Sequence, residues 1–346
     1  MRTALLLLAL AAGPAAAQRP LKVVTSLPTY AAIAREIVGD RGSVTAIAQG
    51  DEESHFVQPR PSFVPLLGSA DVFITTGLDL ELWVPALLDK ASNPRVSEGG
   101  RGYVAAYPGI RLLDVPASLS RSQGDIHIYG NPHIHTDPIN AVHIARNILA
   151  GLIRVSPSDA TAFTARERDF EHRLLVALYG AELVRILTAE TLFDLAQEYK
   201  DWTFFQQNRY QGAPLAARLS GWMKQAEPLR GREMICYHKE WAYFSARFGV
   251  SCAEFVEPKP GIPPSPRHVQ RIVQLIRDRR IPVVFSPNYY NRGQIRQIAE
   301  RTGATAVIVP AQTDGEPGVH TYFDLVNAWL GALVPAFGNT TTGTGL

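Results

Sequence analysis

Short apolar runs rich in β-branched residues recur along this chain, and most are followed by a stretch with helical spacing. In the first third they are LKVVTS (21–26), VTAIA (44–48) and DVFITTG (71–77), with helices expected over 29–38 and near 62–67. In the last third they are EMICYH (233–238), SCAEFV (251–256), PVVFSP (282–287) and TAVIVP (305–310), with helices expected over 239–248, 266–279 and 292–301. Strands alternating with helices build βαβ units, which restrict the chain to an α/β fold with mostly parallel sheets. Local signals agree: Ser265-Pro266 suits a helix start, and Gly303 stands where a helix would end in the left-handed conformation. Beyond the shared rhythm the sequence shows no internal repeat.

Between these thirds the pattern changes. From Ser156-Pro157 to about Leu187 no further proline interrupts, and Phe163, Phe170, Leu174 and Leu178 recur at helical spacing. A helix of that length would span about 45 Å and act as a stiff beam between two lobes. Two ordinary helices broken near Gly180 are the alternative. A chain of 346 residues also exceeds what one core usually organises. The expected division is a signal peptide over 1–17, an N-terminal lobe over 18–155, a linking helix over 156–187, a C-terminal lobe over 188–338 and a disordered tail over 339–346.

The signal peptide is read from MRTALLLLALAAGPAAAQ: Arg2, an apolar run too short to span a bilayer, and small residues before Gln18. Cleavage is expected near Ala17. No cysteine stands there, so the mature protein is expected to be exported and not a lipoprotein. A formal net charge of +2 gives no reason to expect a nucleic-acid or anionic-membrane partner. Cys236 and Cys252 flank one βαβ unit near opposite ends of neighbouring strands; they are expected to stay unpaired, with a disulfide as the alternative.

Of the chain's nine histidines, three fall in GDIHIYGNPHIHTDP (124–138): His127, His133 and His135. Imidazoles clustered in turn-forming sequence suggest a metal site or a polar loop. His55 in QGDEESHFVQPRPS, His133 in GNPHIHTDP and His238 in YHKEWAYFSARFGV all lie at the carboxyl ends of expected strands or in the loops that follow. Ligands of open α/β sheets bind there, and three imidazole donors suit zinc and other borderline metals.

At this point the sequence resembles a known family, the periplasmic solute-binding proteins of zinc and manganese ABC importers, along almost the whole mature chain. QGDEESHFVQPRPS, GNPHIHTDPINA and YHKEWAYFSARFGV look like the family's first three ligand loops, and SADVFITTGLDLELW like its stretch leading into a later helix. The resemblance implies two (β/α) lobes joined by a long backbone helix, a metal site in the cleft between them, and ligands at His55, His133 and His238. It further implies a binding protein with no catalysis, acting as a monomer that hands Zn2+, or less readily Mn2+, to an inner-membrane permease.

Two departures stand out. Many members take a fourth ligand, usually Asp, from the loop after the last strand. Here VPAQTDGEPGVHTY puts Pro310 or Ala311 at that position, which leaves Asp314, Glu316, His320 or a water open. Zinc-type members often carry a long His/Asp-rich loop; here only RSQGDIHIYG remains, with Asp125 and His127, and His127 becomes an accessory candidate. His135 is expected to be a solvated or supporting imidazole. Asp137 and Glu240 are candidates to orient a ligand, and Tyr289-Tyr290 to line the cleft. The competing reading from another class is an exported three-histidine zinc hydrolase, but neither an HExxH pair nor a GxSxG elbow occurs.

Overall fold

The computed structural model describes residues 19–116, 127–259 and 261–338. The expected signal peptide, the expected tail and Asp125 lie outside the described residues. Strands β1 (Leu21–Thr25), β2 (Gly42–Ala46), β3 (Val72–Thr75) and β4 (Tyr103–Ala105) form an all-parallel sheet in the order β2-β1-β3-β4. After a two-residue ladder of β5 (Arg209–Tyr210) and β6 (Ala213–Pro214), a second parallel sheet follows. It comprises β7 (Glu233–Cys236), β8 (Ser251–Phe255), β9 (Val283–Pro287) and β10 (Thr305–Val309), ordered β10-β9-β7-β8. Numbered within its own half, each sheet runs 2-1-3-4. The two lobes therefore share a topology that no sequence repeat betrays.

In each sheet the order reverses between the first and third strands, β1/β3 and β7/β9, and the loops leaving the carboxyl ends there open onto a crevice. The N-terminal lobe carries helices α1 (Pro28–Val38), α2 (Phe63–Gly68), α3 (Val84–Ala91) and α4 (Pro138–Val155). Asp137 caps α4 by accepting from the Ile139 amide at 2.9 Å, and Pro138 occupies the first turn, where its missing N–H costs nothing.

The helix expected over 156–187 is broken. It runs as α5 (Ala160–Tyr179), about 30 Å long, and resumes as α6 (Ala181–Leu187). Gly180 causes the break: its φ is +92°, where a side chain is strained, and Ser220 Oγ packs where a Cβ would sit. Further helices are α7 (Ala189–Gln197), α8 (Asp201–Gln207), α9 (Gly221–Gln225), α10 (Ala242–Phe248), α11 (Pro266–Arg279), α12 (Arg292–Thr302) and α13 (Tyr322–Gly338). Ser265 caps α11, and α12 ends at Gly303 with φ +77°. Helix α3 follows the LDLELW stretch, as the resemblance implied, whereas strand β4 and helices α4 and α13 carry no signal noted in the sequence.

One buried apolar cluster is continuous from Val23 of β1, through Phe163, Phe170 and Leu174 of α5, to Trp241 just before α10 and Trp329 of α13. A smaller cluster covers another face of the second sheet, with Ile235, Val284, Ile272 and Ile298. A shared core of this kind couples the lobes rigidly, because close-packed interiors transmit displacement instead of absorbing it. Cys236 and Cys252 form a disulfide, contrary to expectation. The register of β7 against β8 shifts at Met234/Ile235, and the two Cα atoms lie 5.5 Å apart, a spacing that a disulfide bridges. No helix among the described residues is long and apolar enough to cross a membrane.

Candidate metal centre

Three loops bring three imidazoles together. His55 follows β2 at the end of a polar turn, which Trp83 steadies by donating Nε1–H to the Ser54 carbonyl at 2.9 Å. His133 precedes a single 3₁₀ turn, Ile134–Thr136, that leads into α4. His238 leaves the carboxyl end of β7 directly before another 3₁₀ turn, Lys239–Trp241. Nitrogens of His55, His133 and His238 all lie within 4.8 Å of one another. Ring centroids are 5.1 Å apart for His55 and His133, and 5.4 Å for His55 and His238 and for His133 and His238.

The surroundings of His133 and His55 favour neutral rings. Burial holds His133 well below the usual histidine range, and the neighbouring imidazoles push it the same way. Burial also lowers His55, against the pull of Glu53. Neutral imidazole is the form that ligates metal. The Nδ1 atoms face oxygen: Asn131 Oδ1 accepts from His133 Nδ1 at 2.9 Å, and Glu257 Oε2 stands 2.9 Å from His238 Nδ1. Glu53 Oε1 is 3.5 Å from His55 Nδ1. For His133 the acceptor on Nδ1 fixes the tautomer and leaves Nε2 with the lone pair, whereas Nδ1 of His55 and Nδ1 of His238 lie near carboxylates without a hydrogen bond among the described residues. Nε2 of His238 is buried without a hydrogen-bond partner among the described residues.

A band of tyrosines and carboxylates backs the cluster. Tyr290 O–H donates to Glu257 Oε2 at 2.9 Å, and Tyr289 O–H to Glu240 Oε2 at 2.9 Å. Burial pushes the Glu240 carboxyl well above its ordinary range. The sequence offered Glu240 as an orienting partner of a ligand or as a plain helix-start carboxylate; it is instead a fully buried partner of Tyr289.

The remaining candidates part company. Asp314, in the left-handed conformation at φ +58°, accepts from His320 Nδ1 at 2.8 Å and lies 3.7 Å from Arg35. It belongs to a different neighbourhood from the three histidines. His127 does approach them: its Nε2 is 3.1 Å from His55 Nε2, and its ring centroid is 5.8 Å from that of His133. His135 is buried, not solvated, and its Nε2 donates to the Ala311 carbonyl at 3.1 Å, tying α4's approach to the loop after β10. Burial lowers it to about 4, so it stays neutral. Asp137 serves Arg247 and its own helix end instead of a histidine. Sequence reasoning passed over Asn131, Glu257, Asp79 and Arg247. Asn131 two residues before His133 was the one with a local signal; the others are distant in sequence from what they touch.

A family model described as zinc-uptake complex component A, periplasmic (ZnuA), matches residues 23–177 and 196–336. The chain is 25% identical over 331 residues to the iron-binding protein YfeA of Yersinia pestis, covering 94% of this chain and 89% of that protein. It is 25% identical over 333 residues to the high-affinity zinc uptake system protein ZnuA of Paracoccus denitrificans, covering 95% of each. It is 24% identical over 309 residues to the manganese-binding lipoprotein MntA of Halalkalibacterium halodurans, covering 88% of this chain and 85% of that protein. Among solved structures, the crystal structure of a ZnuA superposes with a TM-score of 0.66 at 18% identity, over 92% of this chain and 99% of the other. A manganese-bound periplasmic metal-binding protein from Candidatus Liberibacter asiaticus gives 0.63 at 19%, over 91% and 98%. These structures are similar in fold; at such identities they say nothing of the ion.

Proposed function

This chain belongs to the ZnuA family of periplasmic metal-binding components of ABC importers, and on that premise we propose that it captures Zn2+ and delivers it to a membrane permease. The observation that carries the reading is the convergence of His55, His133 and His238 within 4.8 Å, in a buried place reached by loops from both sheets. Names among the relatives include zinc, manganese and iron, so the donors must argue the choice. Imidazole nitrogen suits zinc, whereas manganese favours carboxylate, carbonyl and water oxygens. Mn2+ is therefore the weaker ligand in this reading.

In this reading the protein is a monomeric periplasmic carrier, exported by the signal peptide over 1–17. It is not an enzyme: zinc is its cargo, and the buried shared core supports a rigid holder in place of an open hydrolytic site. Metal analysis of protein purified from the periplasm without chelators tests the whole reading. One zinc per chain is expected; manganese or iron in its place would overturn the choice of ion, and no metal at all would overturn the function.

A further inference from the structure

We infer that His127, held by Asp79, supplies the fourth nitrogen of the site, so that the captured ion sits among four imidazoles. The inference rests on the zinc-binding reading and deepens it.

Asp79 follows the carboxyl end of β3 and grips His127 and Ile128 with both oxygens. Oδ1 stands 3.1 Å from His127 Nδ1, and Oδ2 accepts from the Ile128 amide at 2.9 Å. A carboxylate at Nδ1 holds the proton on that nitrogen and leaves the Nε2 lone pair free. His127 thus repeats the construction of His133, whose Nδ1 is held by Asn131 Oδ1, while a carboxylate oxygen of Glu53 and of Glu257 stands 3.5 and 2.9 Å from Nδ1 of His55 and His238. His127 stands at the edge of the trio, against His55 and His133, with its ε side turned to His55. The mutual 4.8 Å spacing holds for His55, His133 and His238, so His127 would complete the shell by a small closing movement onto the ion.

The spacing agrees. His127 Nε2 is 3.1 Å from His55 Nε2. If both nitrogens carry lone pairs, they repel at that distance unless a proton or a cation lies between them. Zinc bonds imidazole nitrogen at about 2.0–2.1 Å, and two donors on one tetrahedral ion then stand ~3.3 Å apart. The observed separation is close to that edge. Ring centroids of His127 are 5.2 Å from His55 and 5.8 Å from His133, similar to the separations within the trio. Asp314 has other partners, His320 and Arg35, so it does not compete for the position.

Asp79 is then a positioning residue, and its effect must reach the ion through His127. Zinc affinity and the first coordination shell should be measured on the full mature chain and on H127A, D79A, D79N and H55A. X-ray absorption of the zinc-loaded wild type is expected to give four nitrogen donors. H127A should lose about 10–100-fold in affinity, with an oxygen replacing one nitrogen, and added free imidazole should restore both. D79A should lose about tenfold, and D79N, which keeps an acceptor oxygen, should lose less. Cobalt(II) spectra provide a check independent of folding, since loss of one nitrogen shifts the d–d bands while the circular dichroism of the protein stays unchanged. Wild type that binds zinc, with binding lost in H55A but untouched in H127A, would overturn the fourth-donor inference alone. Wild type that binds no zinc would overturn the binding reading with it.

Discussion

Arg247 of α10 forks onto Asp137, the residue that caps α4: Nε meets Oδ1 at 2.8 Å and Nη2 meets Oδ2 at 2.9 Å. The same guanidinium donates from Nη1 to Asp201 Oδ2 at 3.0 Å and from Nη2 to the Ala196 carbonyl at 2.8 Å. Tyr179 O–H completes the group on Asp201 at 2.6 Å. All of this is buried, four residues from His133 in one lobe and nine from His238 in the other. Bidentate geometry fixes distance and orientation together, so the pair sets the spacing of the two loops that carry those histidines.

Removing Arg247 should therefore cost a great deal. R247M leaves two buried carboxylates without a cation, a change worth about 3–5 kcal/mol. Chemical denaturation of the metal-free protein is expected to show that loss, and a combined D137N/R247M/D201N chain should recover part of it. Equal stability of R247M and wild type would mean that the carboxylates find other partners.

Within the histidine-rich segment the two neighbours should behave differently. A four-donor zinc site is worth about 10–16 kcal/mol, so one donor carries roughly 3 kcal/mol, or about a hundredfold in affinity. H133A is expected to lose that much in zinc titrations. H135A should lose thermal stability first, because His135 holds the Ala311 carbonyl across the interface. An H135A chain that folds as wild type and binds no zinc, beside an H133A chain that binds normally, would reverse the assignment.

Selectivity follows from the donors. Competition titrations should place zinc above manganese by several orders of magnitude, since nitrogen ligands suit the first and oxygen ligands the second. Equal affinity would point to Glu53 or Glu257 joining the shell.

A pH effect on folding is expected away from the metal. Burial, with Glu171 beside it, pushes the Glu167 carboxyl of α5 up to about 7. In the unfolded chain it ionises near the ordinary value of 4.5. A raised carboxyl favours the folded state only while it is protonated, so its contribution is full below about pH 4.5 and is lost as pH rises through 7. E167Q should remove this dependence and stabilise the protein at pH 8 by roughly 1–3 kcal/mol. Urea midpoints between pH 5 and 8 test it; parallel curves for both chains would assign the dependence to other groups.

The strand–helix alternation was legible because it depends on neighbours in sequence. Runs such as PVVFSP, and caps such as Ser265 and Gly303, carry their physics within a few residues. His55, His133 and His238 were legible for a related reason, since each stands just past a strand and the carboxyl ends of parallel strands converge by construction. The shared 2-1-3-4 order stayed hidden, because pairing order depends on which strands meet and not on what they contain. His133 and His135 are two residues apart and identical in chemistry. In the tight turn Ile134–Thr136 they point in different directions, and one faces the cluster while the other crosses to Ala311. The break at Gly180 needed Ser220, the Asp137 latch needed Arg247, and the orientation of His127 needed Asp79. Sequence thus determined which segments form strands and which imidazoles lie near their ends. Tertiary structure decided where the rings of His127 and His135 point and what holds them, because those outcomes depend on contacts between residues 48 and 176 positions apart.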